Sequence, residues 1–293
     1  MALLPVLLVV ALAAAVTVGA VVVRRVPPSA EATVATARRH ASGTALAAVL
    51  VAAAAALVAG ATSPFTGDGP AALGTSALLV PVTFGVVHTA VLTLGELTWP
   101  RPQGRLRHAR LVRRSLLDAA PRWLVRLAGG TIVGTVVTLG LGALLAGDDG
   151  RSVSLRSADG VQTAAASPFP GWTYGGPAAL GLLVLAGLTL GALRVVATRA
   201  AVVTSDERAE AALRRASAHR VLRGAVGSAL VTTSGLVLVA GMSTRNVADG
   251  IGPQPLVALG VLLAGCGVVG LLAGLVVVCV RAPGVPADQP VPA

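Results

Sequence analysis

The ionisable side chains that fall inside the long apolar stretches of this chain are few: His88, Glu96 and Arg194. Such groups are costly in a hydrocarbon layer, so each is a candidate for work. A histidine that titrates near neutral pH, together with a carboxylate at an aqueous mouth, suits a proton-coupled device. Glu96 lies eight residues beyond His88, about 80° around and about 12 Å along an ideal helix, so water or a third group must link them. Thr89 and Thr93 share a face with Glu96 and complete the candidate intramembrane polar site. Pro81 removes a backbone hydrogen bond upstream of His88 and is the candidate hinge. Plainer roles stand beside these. Glu96 pairs with Arg101 or Arg194 at similar depth, Arg194 reaches for the headgroups, and His88 bonds a threonine or a carbonyl of a neighbouring helix. Thr232, Thr233 and Ser234 either line a polar path or bond their own backbone.

Other chemistry finds little support. The chain holds no HExxH zinc motif, no GxSxG elbow, no phosphate-cradling loop and no Cys and His cluster at metal spacing. Haem held between two histidines is not expected, because His40, His108 and His219 read as loop residues. Cys266 and Cys279 share the last apolar stretch, roughly 20 Å apart along one helix, beyond disulfide reach, and read as small apolar core residues. The expectation is no enzyme, no metal and no cofactor.

The elements that position these residues follow from composition. The 293 residues are 55% hydrophobic and 12% charged, where a soluble domain carries about 25% charged residues. The apolar residues come in blocks of about twenty, enough to cross a hydrocarbon core of roughly 30 Å as a helix. These blocks lack the alternation of barrel strands. The expected fold class is an all-α membrane protein, residues 1–280 forming one transmembrane domain and 281–293 a disordered cytoplasmic tail. Seven helices are expected, at about 2–23, 44–61, 73–97, 127–146, 178–197, 225–242 and 256–280. The first apolar run precedes its charges, Arg24 and Arg25, which argues for an uncleaved helix with its N-terminus outside and places the C-terminus inside.

The net charge of +11 comes from arginine alone, for the chain has no lysine. All arginines except Arg151, Arg156 and Arg245 fall on the expected cytoplasmic side, so the positive-inside rule accounts for them and no nucleic acid is implied. The densest run follows Trp99 and Pro100, an interfacial pair. Arg105, Arg107, Arg110, Arg113 and Arg114 there are the candidate contact with anionic lipid or a protein partner, at about 1 kcal/mol per arginine near a charged surface. A juxtamembrane helix around Arg38, Arg39 and His40 leads into the second crossing. Thr204 to Glu207 reads as a capping box opening an arginine-rich helix that runs into the sixth. The loop from Asp148 to Pro177, with Trp172 and Tyr174, favours turns over regular structure.

Two halves look alike. Leu57-Val58-Ala59-Gly60 matches Leu238-Val239-Ala240-Gly241, an Arg-Arg pair precedes each, and Gly69-Pro70 matches Gly252-Pro253 before the next helix. This is either a 3+1+3 parallel repeat or shared composition. The 3+1+3 order is similar to that of the SWEET sugar transporters in topology alone, and no site residue is carried over. In composition and layout over its whole length the chain resembles uncharacterised multi-pass integral membrane proteins of GC-rich actinobacteria, a resemblance that implies a bacterial cell membrane and no activity. Two functions follow. The first is a small permease-like or ion-coupled transport protein with a small-molecule substrate. The second is a non-transporting component that binds a protein partner or anionic lipid through its arginine-rich loops.

Overall fold

A computed structural model describes residues 32–61, 70–99, 115–201 and 207–284. Its elements in chain order are α1 (Ala32–Ala61), α2 (Pro70–Leu97), α3 (Arg122–Leu145), the strands β1 (Val153–Arg156) and β2 (Thr163–Ala166), α4 (Trp172–Thr198), α5 (Glu207–Ala248) and α6 (Gln254–Cys279). All six helices are long and apolar enough to cross a membrane, which makes this a multi-pass membrane protein in contact with the lipid bilayer. The expected first crossing, residues 2–23, lies outside the described residues, as do Arg101, Arg105, Arg107, Arg110, Arg113, Arg114, His108 and most of the tail.

Several expectations need correction. The juxtamembrane arm and the second crossing are one helix, α1, because nothing between Arg39 and Thr44 interrupts the backbone hydrogen bonds. The arginine-rich helix runs into the sixth crossing as expected, and differs only in continuing past Met242 to Ala248 as α5 (Glu207–Ala248), about 63 Å long and twice what the hydrocarbon requires. His40 and His219 are therefore helical, not loop residues. The segment after Asp148 is more ordered than its Gly, Pro and Ser content suggests. β1 and β2 form an antiparallel hairpin in which Val153 faces Ala166, and α4 starts at Trp172, with Pro177 tolerated near its start. Cys266 and Cys279 are exposed on the outside of α6, not core residues.

The helix α5 is the axis, packed against α2, α3, α4 and α6, while α1 packs on α2. Its closest partner is α6. On α5, Gly227, Ser234 and Gly241 recur every seven residues, and on α6 so do Gly260, Gly267 and Gly274, all six buried. A Cβ at Gly274 would stand 3.0 Å from the Gly227 carbonyl oxygen, and one at Gly227 would meet the Gly274 oxygen at 3.0 Å, so the two backbones touch. Without a hydrophobic drive between helices in lipid, such close approach is what holds them. The seven-residue period, close to two helical turns, keeps these small residues on one face along the length of each helix. The outer face of α6, with Leu262, Val269 and Val276, is exposed as a lipid-facing side should be.

At one end of the bundle the hairpin sits against α5, with Ser243 Oγ donating to the Pro168 carbonyl at 2.5 Å. Its approach is stiffened by Asp149, whose carboxylate accepts the Arg151 and Ser152 amides at 3.0 and 2.9 Å and the Ser152 hydroxyl at 2.8 Å. Gly150 takes φ of 63° in this turn, a conformation open to glycine. At the opposite, arginine-rich end lie Trp99, Arg199 and the first turns of α5.

Candidate functional site: a buried ionic cluster where three helices meet

The carboxyl-terminal ends of α2 and α4 arrive side by side, each leaving its last carbonyls without intrahelical partners. Basic side chains supply the missing donors. For α2, the ring Nε2 of His40 in α1 donates to the Gly95 carbonyl at 2.8 Å, and its ring stands edge-on to Trp99 with centroids 5.7 Å apart. His40 reaches this far because α1 lies close on α2: a side chain on Gly95 would overlap Thr44. For α4, one guanidinium does the work. Arg214 of α5 donates through Nη1 to the Val196 and Ala197 carbonyls at 2.7 and 2.9 Å, and through Nη2 to the Arg199 carbonyl at 2.8 Å. Its Nε lies 2.9 Å from Glu210 Oε1, one turn earlier on α5.

Arg199 follows the last residue of α4 and points inward. Its guanidinium covers the Trp99 ring at 3.7 Å from the centroid, a close cation–π contact. It forms two long ion pairs, Nε to Glu96 Oε2 at 3.4 Å and Nη2 to Glu210 Oε1 at 3.9 Å. The side chain is only 3% exposed, yet none of its nitrogens makes a hydrogen bond. Burial pulls this guanidinium below its ordinary value, and Glu96 and Glu210 pull it back. Arg38 of α1 is buried nearby, flanked by Ala37 and Ala41, which pack with Trp99, Ala209 and Leu213. Beside the cluster opens a cavity of about 220 Å³, walled by Glu96, Trp99 and Arg199 with Leu97, Val195 and Thr198.

Of the expected site residues, Glu96 belongs to this cluster. Its ion-pair partner is Arg199 and not Arg194, while Arg101, the other expected partner, lies outside the described residues. Arg194 is exposed, because Arg199 stands five residues on and about 140° around α4, and only that face turns toward α2. His88 is 4% exposed and lies apart from Glu96. It stacks on Phe84 at 5.6 Å and fills the space that a side chain on Gly224 of α5 would need, and its Nδ1 has no hydrogen-bond partner. Thr89 is fully buried with an unpartnered hydroxyl, whereas Thr93 returns its hydroxyl to the Thr89 carbonyl at 2.7 Å. Helix α2 passes Pro81 without a break. In the α5 polar run, Thr232 bonds the Ser228 carbonyl of its own helix, while Thr233 meets Thr135 of α3 across the interface at 2.6 Å.

Arg199, Glu210, Arg214, Trp99 and His40 escaped the sequence reading as site residues. The Glu210–Arg214 spacing of four was the available signal. Among the described residues, no three His, Cys, Asp or Glu side chains converge on a point that could hold a metal. Chemically, the cluster can bind, hold and exchange charge at the end of a helix bundle. Neither a protein-family model, nor a curated protein, nor a solved structure matches this chain.

Proposed function

We propose that this chain is a small permease-like, ion-coupled transport protein of a bacterial plasma membrane, and not an enzyme. The observation that carries the reading is the ionic cluster of Glu96, Arg199, Glu210 and Arg214, which fastens the ends of α2, α4 and α5 around a cavity. Buried ion pairs are a poor device for stability alone, because desolvation offsets much of their attraction. They are well suited to a closure that must be released and remade. His88 and Thr89, buried with unpartnered polar atoms against α5, extend the polar groups inward along α2. In the full proposal residues 2–23 add a seventh crossing, the N-terminus lies outside, the arginine-rich end is cytoplasmic, and the halves form a 3+1+3 parallel repeat. The pairing of α1 with α2 and of α5 with α6 supports that repeat, since each pair opens with a helix that carries a basic arm into its crossing.

The test is charge movement in proteoliposomes on a solid support, with sugars, amino acids, organic acids and inorganic ions offered in turn under an imposed proton gradient. The expected result is a current or pH change with one solute class, abolished in Glu96→Gln and reduced in His88→Ala. No response to any class, or an unchanged response in both variants, overturns the reading. A second reading is favoured by Arg122 and Arg126, which stand exposed at the start of α3 beside Trp123. It makes the protein a non-transporting component whose loop binds anionic lipid or a protein partner, and it requires loop Arg→Gln changes, not Glu96→Gln, to abolish function.

A further inference from the structure

Helix α1 shows two unlike faces along its crossing. Ala41, Ala48, Ala52 and Ala56 are buried toward the bundle, where α1 packs on α2. On the opposite face Gly43, Ala47, Val51 and Ala54 are exposed, one residue for each turn. No side chain in that row is larger than valine, and a Cβ on Gly43 would meet nothing within 4 Å among the described residues. The outer faces of other crossings are bulkier, with Val133 and Leu144 on α3, Leu183 and Leu190 on α4, and Leu262 and Val269 on α6. Open glycines occur on α3 and α4 too, but interspersed with those larger side chains, so only on α1 is the whole face small. Bulky side chains suit lipid tails. Glycine costs about 1 kcal/mol in a helix interior and is useful in a membrane where a second backbone comes close.

We infer that this chain's own residues 2–23 cover the open face of α1, antiparallel to it, with Gly19 against Ala47 and Ala15 against Val51. The tether selects α1. Only eight residues, 24–31, join Val23 to Ala32, a span of at most about 30 Å. The arm of α1 from Ala32 to Thr44 takes up about 18 Å of height before the crossing begins. That leaves about 24 Å sideways against a helix spacing of about 8–10 Å, so the face of α1 is reached with slack. Consecutive elements on a short connection also pack together as a rule. The segment ends at the arginine-rich end, where α1 begins, which sets the two antiparallel. It supplies small residues at the matching interval, for Ala11, Ala15 and Gly19 are four apart and share one side of a helix. With Val23 level with Thr44, Gly19 falls beside Ala47, Ala15 beside Val51 and Ala11 beside Ala54. Two small faces allow the close backbone approach already seen between Gly227 of α5 and Gly274 of α6. The inference rests on residues 2–23 forming a crossing, and not on transport.

The test uses the full chain in cell membranes, with Cys266 and Cys279 changed to serine. Gly19→Cys and Ala47→Cys are combined and oxidised with copper phenanthroline, which links thiols whose Cα atoms lie within about 7 Å. The expected product is a monomer in which the tryptic peptide ending at Arg24 or Arg25 is joined by a disulfide to the one starting at His40. Gly19→Cys paired with Val133→Cys, Leu183→Cys or Val269→Cys should not link. Gly43→Leu, added to the first pair, puts a larger side chain on the open face and should cut the yield several-fold while α1 still folds. Links from Gly19→Cys to α3, α4 or α6, or a Gly43→Leu variant that links as well as its parent, overturn the inference. So does a disulfide dimer as the main product of Ala47→Cys alone, which gives the face to a second copy. No link in any pair, with residues 2–23 present by intact mass and the N-terminus labelled from outside, refutes the docking and leaves the seventh crossing standing. A mature chain lacking residues 2–23 refutes both. None of these results decides transport, whose failure is read from currents alone.

Discussion

Replacing Arg214 by methionine keeps much of the side-chain volume and removes its charge. The variant leaves the carbonyls of Val196, Ala197 and Arg199 without their shared donor and strips Glu210 of its 2.9 Å partner. Hydrogen bonds to a charged group contribute about 1.5–3 kcal/mol each, so three would sum to about 4.5–9 kcal/mol if they were independent. They are not, since one side chain makes them all and water from the neighbouring cavity can reach some of the orphaned oxygens. Breaking one side of a buried pair costs about 3–5 kcal/mol, and that range is the expectation. The assay is reversible unfolding in mixed micelles, followed by helical circular dichroism. Arg214→Lys should recover little, because an ammonium cannot bridge three carbonyls in a plane. The double variant Glu210→Gln with Arg214→Met should be less damaged than the sum of its singles, with a coupling of about 0.5–3 kcal/mol. A loss below about 1 kcal/mol in Arg214→Met would show that the end of α4 is secured by something else and would undo the argument.

Other outcomes are expected on the same grounds. Gly241→Leu drives a side chain into the α6 backbone at Gly260 and Ala264, and should destabilise by at least about 1–3 kcal/mol or separate α6 in crosslinking, whereas Gly265→Leu, which meets open space, should be silent in the same unfolding assay. Thr135→Val and Thr233→Val should each cost about 0.6 kcal/mol and the pair no more than one of them, read as a double-mutant cycle. Asp149 is held below the usual aspartate value of about 3.9 by the Arg151 amide and the Ser152 hydroxyl. Because the charged form is the bonded one, exchange protection of the Ser152 amide should be constant at neutral pH and fall only as pH drops through that lowered midpoint. Cys266 and Cys279 should both react with a lipid-soluble maleimide in the folded protein, and protection of either would mean that the outer face of α6 is covered.

Much of the bundle was legible because lipid dictates it. A run of apolar residues long enough to cross leaves a chain little choice but a helix, and six of the expected crossings take that form. Their ends were harder to read. The basic arms were legible as helices leading into their crossings, and the capping residues and arginine spacing sufficed for that, but α5 continues past Met242 to Ala248, with no stop signal at Met242. The hairpin had no usable signature, for strands of four residues rich in alanine carry too little alternation. The seam between α5 and α6 was written in the chain as Gly227, Ser234, Gly241 and Gly260, Gly267, Gly274, a period that shows only when two helices are read against each other. At the candidate site, the cost of a carboxylate in an apolar stretch was enough to single out Glu96. Its partner was not, because which arginine faces α2 depends on the helical phase at the end of α4, and five residues separate the exposed Arg194 from the buried Arg199.

One unbroken helix carries both the Arg214 that grips the end of α4 and the Ser243 against which the hairpin rests. Those residues lie at opposite ends of the bundle, with no loop or proline between them. One helix is thus the direct covalent connection between the ionic cluster and the hairpin, and a load placed on either has a single hydrogen-bonded rod along which to spread.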